Sequence, residues 1–88
     1  MLQGVKNGQP NKPLYVAEFW PGWFDNWGGK HNGISVETFT KLYTEIVFQM
    51  NSSVNMYMFI GGTNFGFMGG AGITTSYDYD APINESGN

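Results

Sequence analysis

One carboxylate, Glu18, stands beside a dense group of tryptophans, and this combination of residue types could do chemistry on a sugar. Trp20, Trp23 and Trp27 follow it closely in the chain. The C–H face of a sugar ring packs on a flat aromatic face, while its hydroxyls take carboxylate and amide partners. A carboxylate can also act as a nucleophile, a general base or a cation ligand. The pattern indicates a carbohydrate site, but a strand-end acid paired with a lysine, beside rings from a protein core, would give the same sequence.

The other polar groups support metal or phosphate chemistry only weakly. Asp78 and Asp80 have the spacing that some sugar transferases use for a divalent cation, but no nucleotide-binding fingerprint accompanies them. His31 has neither a cysteine nor a second histidine as a co-ligand. The glycine-rich segment 61–66 lacks the Gly-Lys-Ser/Thr ending of a phosphate loop. We therefore expect no metal and no cofactor, the two aspartates in a turn or strand, and His31 in a loop.

The composition excludes several classes of protein. Of 88 residues, 41% are apolar, 17% aromatic and 12% charged, so the chain is not a solvated tail. A formal net charge of -3 offers no electrostatic footprint for a nucleic-acid backbone. The longest apolar stretch is far shorter than the ~20 residues that span a bilayer. The N-terminal residues lack the apolar core of a signal peptide. We expect neither a nucleic-acid partner nor a membrane span.

The first elements follow from local composition. Residues 1–12 are rich in Gly, Asn and Pro and supply turn residues with little to pack, which predicts a loop. Leu14 to Trp20 is β-branched and aromatic, and Pro21-Gly22 ends it, which predicts a strand. Glu18 then lies near the C-terminal end of that strand. In α/β barrels the catalytic groups collect at the C-terminal ends of the strands.

A helix and a second strand follow. Ser35 is typical of an N-cap, with Glu37 in the first turn, and apolar residues recur every three or four positions as far as Met50. Val54 to Ile60 predicts a second strand, on which Tyr57 would share a face with an asparagine. A tyrosine hydroxyl there could hold the Glu18 carboxylate, although a buried tyrosine bonded to a backbone carbonyl is at least as common.

The order strand, helix, strand is a βαβ unit, in which the two strands run parallel. A two-stranded sheet with apolar residues on both faces needs further strands and helices to cover it. The pattern therefore predicts a portion of a larger α/β domain.

Three long segments resemble one known family. They are PLYVAEFWPGWFDNWG at 13–28, VNMYMFIGGTNFG at 54–66 and TSYDYDAP at 75–82. In the same order, they are similar to segments of family 35 glycoside hydrolases, the lysosomal-type β-galactosidases.

The resemblance implies a fold and a set of site residues. Residues 13–88 would be the C-terminal portion of a (β/α)8 TIM barrel, about strands 7 and 8 with their connecting helix. Glu18 would be the catalytic nucleophile, Trp20 and Trp23 would line the sugar pocket, and Tyr57 and Tyr79 would contact the nucleophile or the galactose. Trp20 stands where the mammalian lysosomal members have tyrosine, which keeps an aromatic wall.

The resemblance also implies what lies outside this chain. A retaining glycosidase uses two carboxyl groups about 5 to 5.5 Å apart, and the family's acid/base glutamate lies in an upstream segment. The partners would be a β-galactoside and the remainder of the barrel with its β domains, and the location lysosomal or secreted. We expect the isolated chain to be inactive. The alternative is a galactose-binding or truncated interaction protein that does not hydrolyse its ligand. Asn51 and Asn84 begin N-glycosylation triplets that matter only on a secretory route.

Overall fold

A computed structural model describes all 88 residues, which divide into two compact units. The first unit comprises residues 1–19 and 35–55, and the second comprises residues 20–34 and 56–88. The elements, in chain order, are α1 Leu2–Gly8, β1 Leu14–Phe19, α2 Val36–Thr44, a π-helical turn Glu45–Gln49, β2 Ser52–Met56, β3 Gly62–Thr63 and β4 Ser76–Tyr77.

The first unit confirms the strand and the helix that the sequence predicts. Strand β1 ends at Phe19, close to Pro21, which cannot donate to a strand ladder. The Ser35 hydroxyl caps α2 by accepting a hydrogen bond from the Thr38 N–H at 3.1 Å. The pKa of Glu37, in the first turn, is lowered by its own backbone N–H and then by the Ser35 hydroxyl. Strand β2 is the neighbour of β1 in a two-stranded sheet, as a strand, helix, strand unit requires.

Aromatic packing holds β1 to α2. Phe19 is 7% exposed, and its ring lies 5.4 Å from that of Phe39 and 6.3 Å from that of Tyr43. Phe39 and Tyr43 are one helical turn apart and stack on each other at 6.0 Å. The last residue of β1, directly after Glu18, is therefore anchored against the helix.

Two segments differ from the sequence expectation. Leu2–Gly8 is helical although residues 1–12 were expected to form a loop; the Gln3 amide donates to Asn7 at 2.9 Å, the i, i+4 spacing that supports a helix. This helix buries none of its residues. Strand β2 begins at Ser52 and ends at Met56, so Tyr57 lies in the turn after the strand and does not share a strand face with the asparagine.

The second unit contains a short antiparallel pair that the sequence did not indicate. Strand β3 pairs with β4, with Gly62 opposite Tyr77 and Thr63 opposite Ser76. Asn64, directly after β3, is 8% exposed. Its side-chain amide donates to the carbonyls of residues 70 and 73 at 3.0 Å each, which closes the glycine-rich loop 64–73. No helix in the structure has both the length and the apolar character needed to cross a membrane.

Candidate active site

Glu18 is the penultimate residue of β1, and its side chain is exposed. Period-two alternation places it on the strand face of Leu14 and Val16, opposite the face from which Phe19 packs on α2. Asn55 of β2 donates its side-chain amide to the Ala17 carbonyl at 3.0 Å. Since that carbonyl belongs to the peptide leading into Glu18, Asn55 fixes the backbone that presents the carboxylate.

Helix α1 lies beside β1, and the two enclose a cavity of about 260 Å³ in the first unit. Its walls are largely apolar, with Glu18 among the residues that line it. The other lining residues are Met1, Leu2, Val5 and residues 14–17. A carboxylate at the rim of an apolar cleft is a common arrangement in ligand sites.

The second unit brings four of the expected site residues into one aromatic cluster. The ring centroids of Trp20 and Trp23 are 4.9 Å apart, and those of Trp23 and Tyr79 are 5.8 Å apart. Tyr57 meets Tyr79 edge-on at 5.3 Å. Tyr79 is 1% exposed and forms the centre of the cluster, whereas Trp20, Trp23 and Tyr57 are each more than a third exposed. The cluster therefore has exposed ring surface that packs around a buried tyrosine.

Tyr77 belongs to the same cluster, although the sequence did not single it out as a site residue. Its ring lies 5.5 Å from that of Tyr79 and stacks on Phe24 at 6.0 Å. Its hydroxyl lies 3.4 Å from the hydroxyl of Tyr57. The available signal was the repeat Tyr77-x-Tyr79, of which the family resemblance pointed to Tyr79 alone as a site residue.

The Asp25 carboxylate closes the loop 25–32, which begins after Trp23 and contains Trp27. Asp25 Oδ2 lies 2.6 Å from His31 Nδ1, and its Oδ1 accepts the Asn32 N–H at 2.7 Å. The hydrogen bond to His31 and then the Asn32 N–H hold the pKa of Asp25 below its usual range. The same hydrogen bond, followed by the charge of Asp25, raises the pKa of His31. His31 lies in a loop, as expected, and has Asp25 as its partner.

The side chains of Asp78 and Asp80 accept hydrogen bonds from backbone N–H groups. Asp78 Oδ1 accepts the Asp80 N–H at 3.0 Å, and Asp80 Oδ2 accepts the Ile34 N–H at 3.2 Å. Nowhere in the 88 residues do three or more His, Cys, Asp or Glu side chains form a group that could hold a metal ion. Both carboxylates therefore hold the local backbone of a turn or a loop.

A second cavity, of about 330 Å³, lies in the second unit. Tyr77 joins it to the aromatic cluster, and Asn64 fixes one of its walls through the bonds to the glycine-rich loop. The lining residues are Gly62, Thr63, Asn64, Gly69, Ile73 and Tyr77. Its volume is within the range of small-molecule sites, roughly 300 to 1,000 Å³.

The expected site residues therefore fall into two groups. Trp20, Trp23, Tyr57 and Tyr79 meet within the second unit, whereas Glu18 belongs to the first.

Comparison with known proteins identifies the class. The whole chain, residues 1–88, matches the glycosyl hydrolases family 35, and the chain belongs to that family. Members of this family are TIM-barrel glycosidases. The structure of this chain contains two two-stranded sheets and short helices, which do not make a complete barrel.

Named relatives agree with this assignment. The chain is 49% identical to the human protein "Beta-galactosidase-1-like protein 2" over 92% of its own length and 14% of the relative's. It is 44% identical to "Beta-galactosidase" of Bos taurus, over 99% of the chain and 14% of the relative. It is 42% identical to "Beta-galactosidase" of Xanthomonas manihotis, over 90% and 15%. The chain thus spans about a seventh of the length of these relatives.

Proposed function

We propose that the polypeptide carrying this segment, together with the rest of its barrel, hydrolyses terminal β-galactosides with retention of configuration. That polypeptide is the complete enzyme. The observation that carries the proposal is the match of the whole chain to the family. Two relatives named "Beta-galactosidase" are 44% and 42% identical to the chain, and "Beta-galactosidase-1-like protein 2" is 49% identical. Residues 13–88 would form the C-terminal part of the catalytic barrel, with β1 and β2 as about its seventh and eighth strands.

Glu18 is the proposed nucleophile. Its carboxylate attacks the anomeric carbon of the galactose, the bond from that carbon to the leaving oxygen breaks, and an upstream acid protonates this oxygen. The ionised carboxylate also stabilises the oxocarbenium-like transition state before it forms the galactosyl-enzyme ester. Water then attacks the same carbon, with the upstream group now acting as base, and the Glu18 carboxylate is released. A strand-end position held by Phe19 and Asn55 suits a nucleophile that must not move.

The aromatic cluster is the proposed sugar platform. Trp20 and Trp23 keep exposed ring surface for the C–H face of galactose. Tyr57 and Tyr79 are the proposed contacts to the nucleophile or the galactose hydroxyls. Support for this grouping is that the four side chains pack as one cluster around a buried tyrosine.

The 88-residue chain on its own is proposed to be inactive. Retention needs two carboxyl groups about 5 to 5.5 Å apart across the bond that is cleaved. Glu37 lies in the first turn of α2 and Glu45 in the π-helical turn after it, which makes neither a candidate for the second carboxyl group. The location proposed for the complete enzyme is lysosomal or secreted.

Covalent trapping tests the nucleophile. The complete enzyme is incubated with a 2-deoxy-2-fluoro-galactoside and digested with trypsin. Because Lys12 precedes a proline, the diagnostic peptide runs over residues 7–30. We expect a fluorogalactosyl adduct on Glu18 and none in Glu18→Gln.

The alternative predicts another result. A binding protein that does not hydrolyse its ligand would bind galactose equally well in the parent and in Glu18→Gln, with neither turnover nor adduct. An adduct on a different carboxylate would refute the assignment of Glu18 while leaving the retaining mechanism in place.

A further inference from the structure

Two triplets in the chain fit the acceptor pattern for N-linked glycans, and the function proposed above uses neither. They are Asn51-Ser52-Ser53 and Asn84-Glu85-Ser86. An oligosaccharide retained on a folded protein must extend into water, because it is bulky and fully polar. The exposure and hydrogen bonds of each asparagine therefore indicate whether its triplet is a glycosylation site or fits the pattern by chance.

The surroundings of Asn51 suit a residue that accepts an N-linked glycan. It is the single residue between Met50, which caps the π-helical turn, and the first residue of β2. Its backbone has φ 52°, a left-handed conformation that asparagine tolerates better than most residues. Both Asn51 and Ser53, which supplies the hydroxyl of the triplet, are exposed. The Asn51 amide forms no hydrogen bond within the chain, so its Nδ2 faces no competing partner.

Asn84 is held in a closed turn. Its Oδ1 accepts the backbone N–H groups of Ser86 and Asn88 at 3.0 Å each. Its own N–H donates to the Asn88 carbonyl at 2.9 Å, and its carbonyl accepts the Gly87 N–H at 3.0 Å. The residue is half-buried. Four hydrogen bonds thus fix its backbone and its side-chain amide together.

We propose that Asn51, rather than Asn84, carries an N-linked oligosaccharide when the complete enzyme passes through a secretory pathway. The donor is a lipid-diphosphate-linked oligosaccharide. The Asn51 Nδ2 attacks C1 of its first sugar, the bond from C1 to the diphosphate oxygen breaks, and the lipid diphosphate leaves with the electron pair. Nδ2 loses one proton to a base of the transferring enzyme. This inference rests on the proposed function only for the secretory route.

A glycan at this position is compatible with the proposed catalytic site. In a parallel barrel, Asn51 directly precedes the N-terminal end of β2, whereas Glu18 lies near the C-terminal end of β1. Barrel enzymes place their chemistry at the C-terminal end of the strands. The glycan and the substrate would then occupy opposite ends of the sheet, and removal of the glycan should leave turnover unchanged.

The test reads each asparagine separately. The complete enzyme is expressed through the secretory pathway of a eukaryotic cell and deglycosylated with peptide N-glycosidase in heavy-oxygen water, which converts a glycosylated asparagine into labelled aspartate. Because the chain has no lysine or arginine after Lys41, trypsin leaves both triplets in one peptide. Chymotrypsin separates them by cutting at aromatic residues such as Phe48 and Tyr57. We expect the label at Asn51 and none at Asn84.

Matched variants guard against a folding effect. Ser53→Ala removes the triplet but leaves the left-handed residue in place, and Asn51→Gly removes the acceptor in a residue that favours positive φ. Each should lose one glycan, Ser53→Thr should keep it, and Ser86→Ala should change nothing. An unlabelled Asn51, or a label at Asn84 instead, overturns the proposal. Turnover of a β-galactoside by the same preparations is read independently, so an active but unglycosylated enzyme refutes this inference alone.

Discussion

The Asp25 carboxylate accepts a hydrogen bond from the His31 imidazole across a six-residue separation, with 2.6 Å between Oδ2 and Nδ1. Its other oxygen holds the Asn32 N–H, and the Asn32 amide in turn donates to the Phe24 carbonyl at 2.9 Å. Phe24 stacks on Trp23 at 4.9 Å. One carboxylate thus closes the loop that begins beside the proposed sugar-binding tryptophan.

The loop should respond to pH through this pair. The hydrogen bond to Asp25 raises the pKa of His31 above 6.5, and the charges of Asp25, Asp78 and Asp80 raise it further. The protonated imidazole therefore stabilises the folded loop fully below pH 6.5, and this stabilisation is lost as pH rises through the pKa of His31 in the folded protein. The pKa of Asp25 is lowered from 3.8, so its contribution is lost as pH falls through that lowered value. We expect the strongest loop closure between about pH 4 and 6.5, where both groups are charged.

The pKa of His31 can be measured in the complete enzyme by deuterium exchange at its ring C2, read by mass spectrometry on the tryptic peptide 31–41. This chain contains one histidine, so the peptide is unambiguous. Asp25→Asn should bring the pKa back toward 6.5, because it removes the charge and weakens the acceptor. His31 titrating at or below 6.5 in the parent, or unaffected by Asp25→Asn, would contradict the pairing.

Glu18→Gln should abolish turnover in the complete enzyme. Loss of a nucleophile that forms a covalent intermediate costs at least about a thousandfold in kcat, as large effects at other catalytic nucleophiles indicate. The fold should survive, because Glu18 is exposed and the substitution conserves its shape. Turnover of a nitrophenyl β-galactoside and a thermal melt measure the two effects.

The helix provides matched controls for that experiment. Glu37 and Glu45 are exposed acids in or directly after α2, and Glu37→Gln or Glu45→Gln removes the same charge away from the proposed site. Both variants should keep kcat within about twofold of the parent, since surface substitutions rarely have large effects. Equal losses in all three variants would show that net charge, rather than a nucleophile, limits the rate.

We expect the ring of Tyr79 to stabilise the fold and its hydroxyl to contact the ligand. Tyr79→Ala removes a ring that is 1% exposed and contacts Trp23, Tyr57 and Tyr77, so it should lower the free energy of unfolding by about 3 to 5 kcal/mol. Tyr79→Phe keeps the ring and should fold, with a higher KM if the hydroxyl meets the galactose. Urea unfolding and steady-state kinetics separate the two roles; an unchanged stability in Tyr79→Ala would contradict the central position of this ring.

Local patterns in the sequence predicted the strand that carries Glu18 and the helix that packs against this strand. The β-branched run before Pro21 gave β1, and the Ser35 cap with its apolar periodicity gave α2, because both depend on neighbours within a few residues. Helix α1 was missed because its glycines and asparagine favour turns, and a single i, i+4 side-chain bond supports it.

Contacts between distant residues could not be read in the same way. The pairing of Gly62 with Tyr77 joins segments with no hairpin signal between them. The bond between Asp25 and His31 depends on a loop shape that period and composition do not encode. The prediction that Tyr57 and Tyr79 serve one site comes from the family resemblance, whereas the contact between their rings depends on tertiary structure.

Gly22 should be indispensable for the aromatic cluster. A Cβ at this position would meet the Tyr79 carbonyl oxygen and, at 2.6 Å, the Asp80 Cβ, so the backbone on one side must move. Overpacking of this kind costs typically about 1 to 3 kcal/mol. Gly22→Ala in the complete enzyme should therefore lower its melting temperature and raise KM by displacing Tyr79. Gly4→Ala is the matched control, because a Cβ there meets nothing within 4 Å and alanine favours the helix α1. Equal behaviour of the two variants would show that the backbone at Gly22 does not pack against Tyr79.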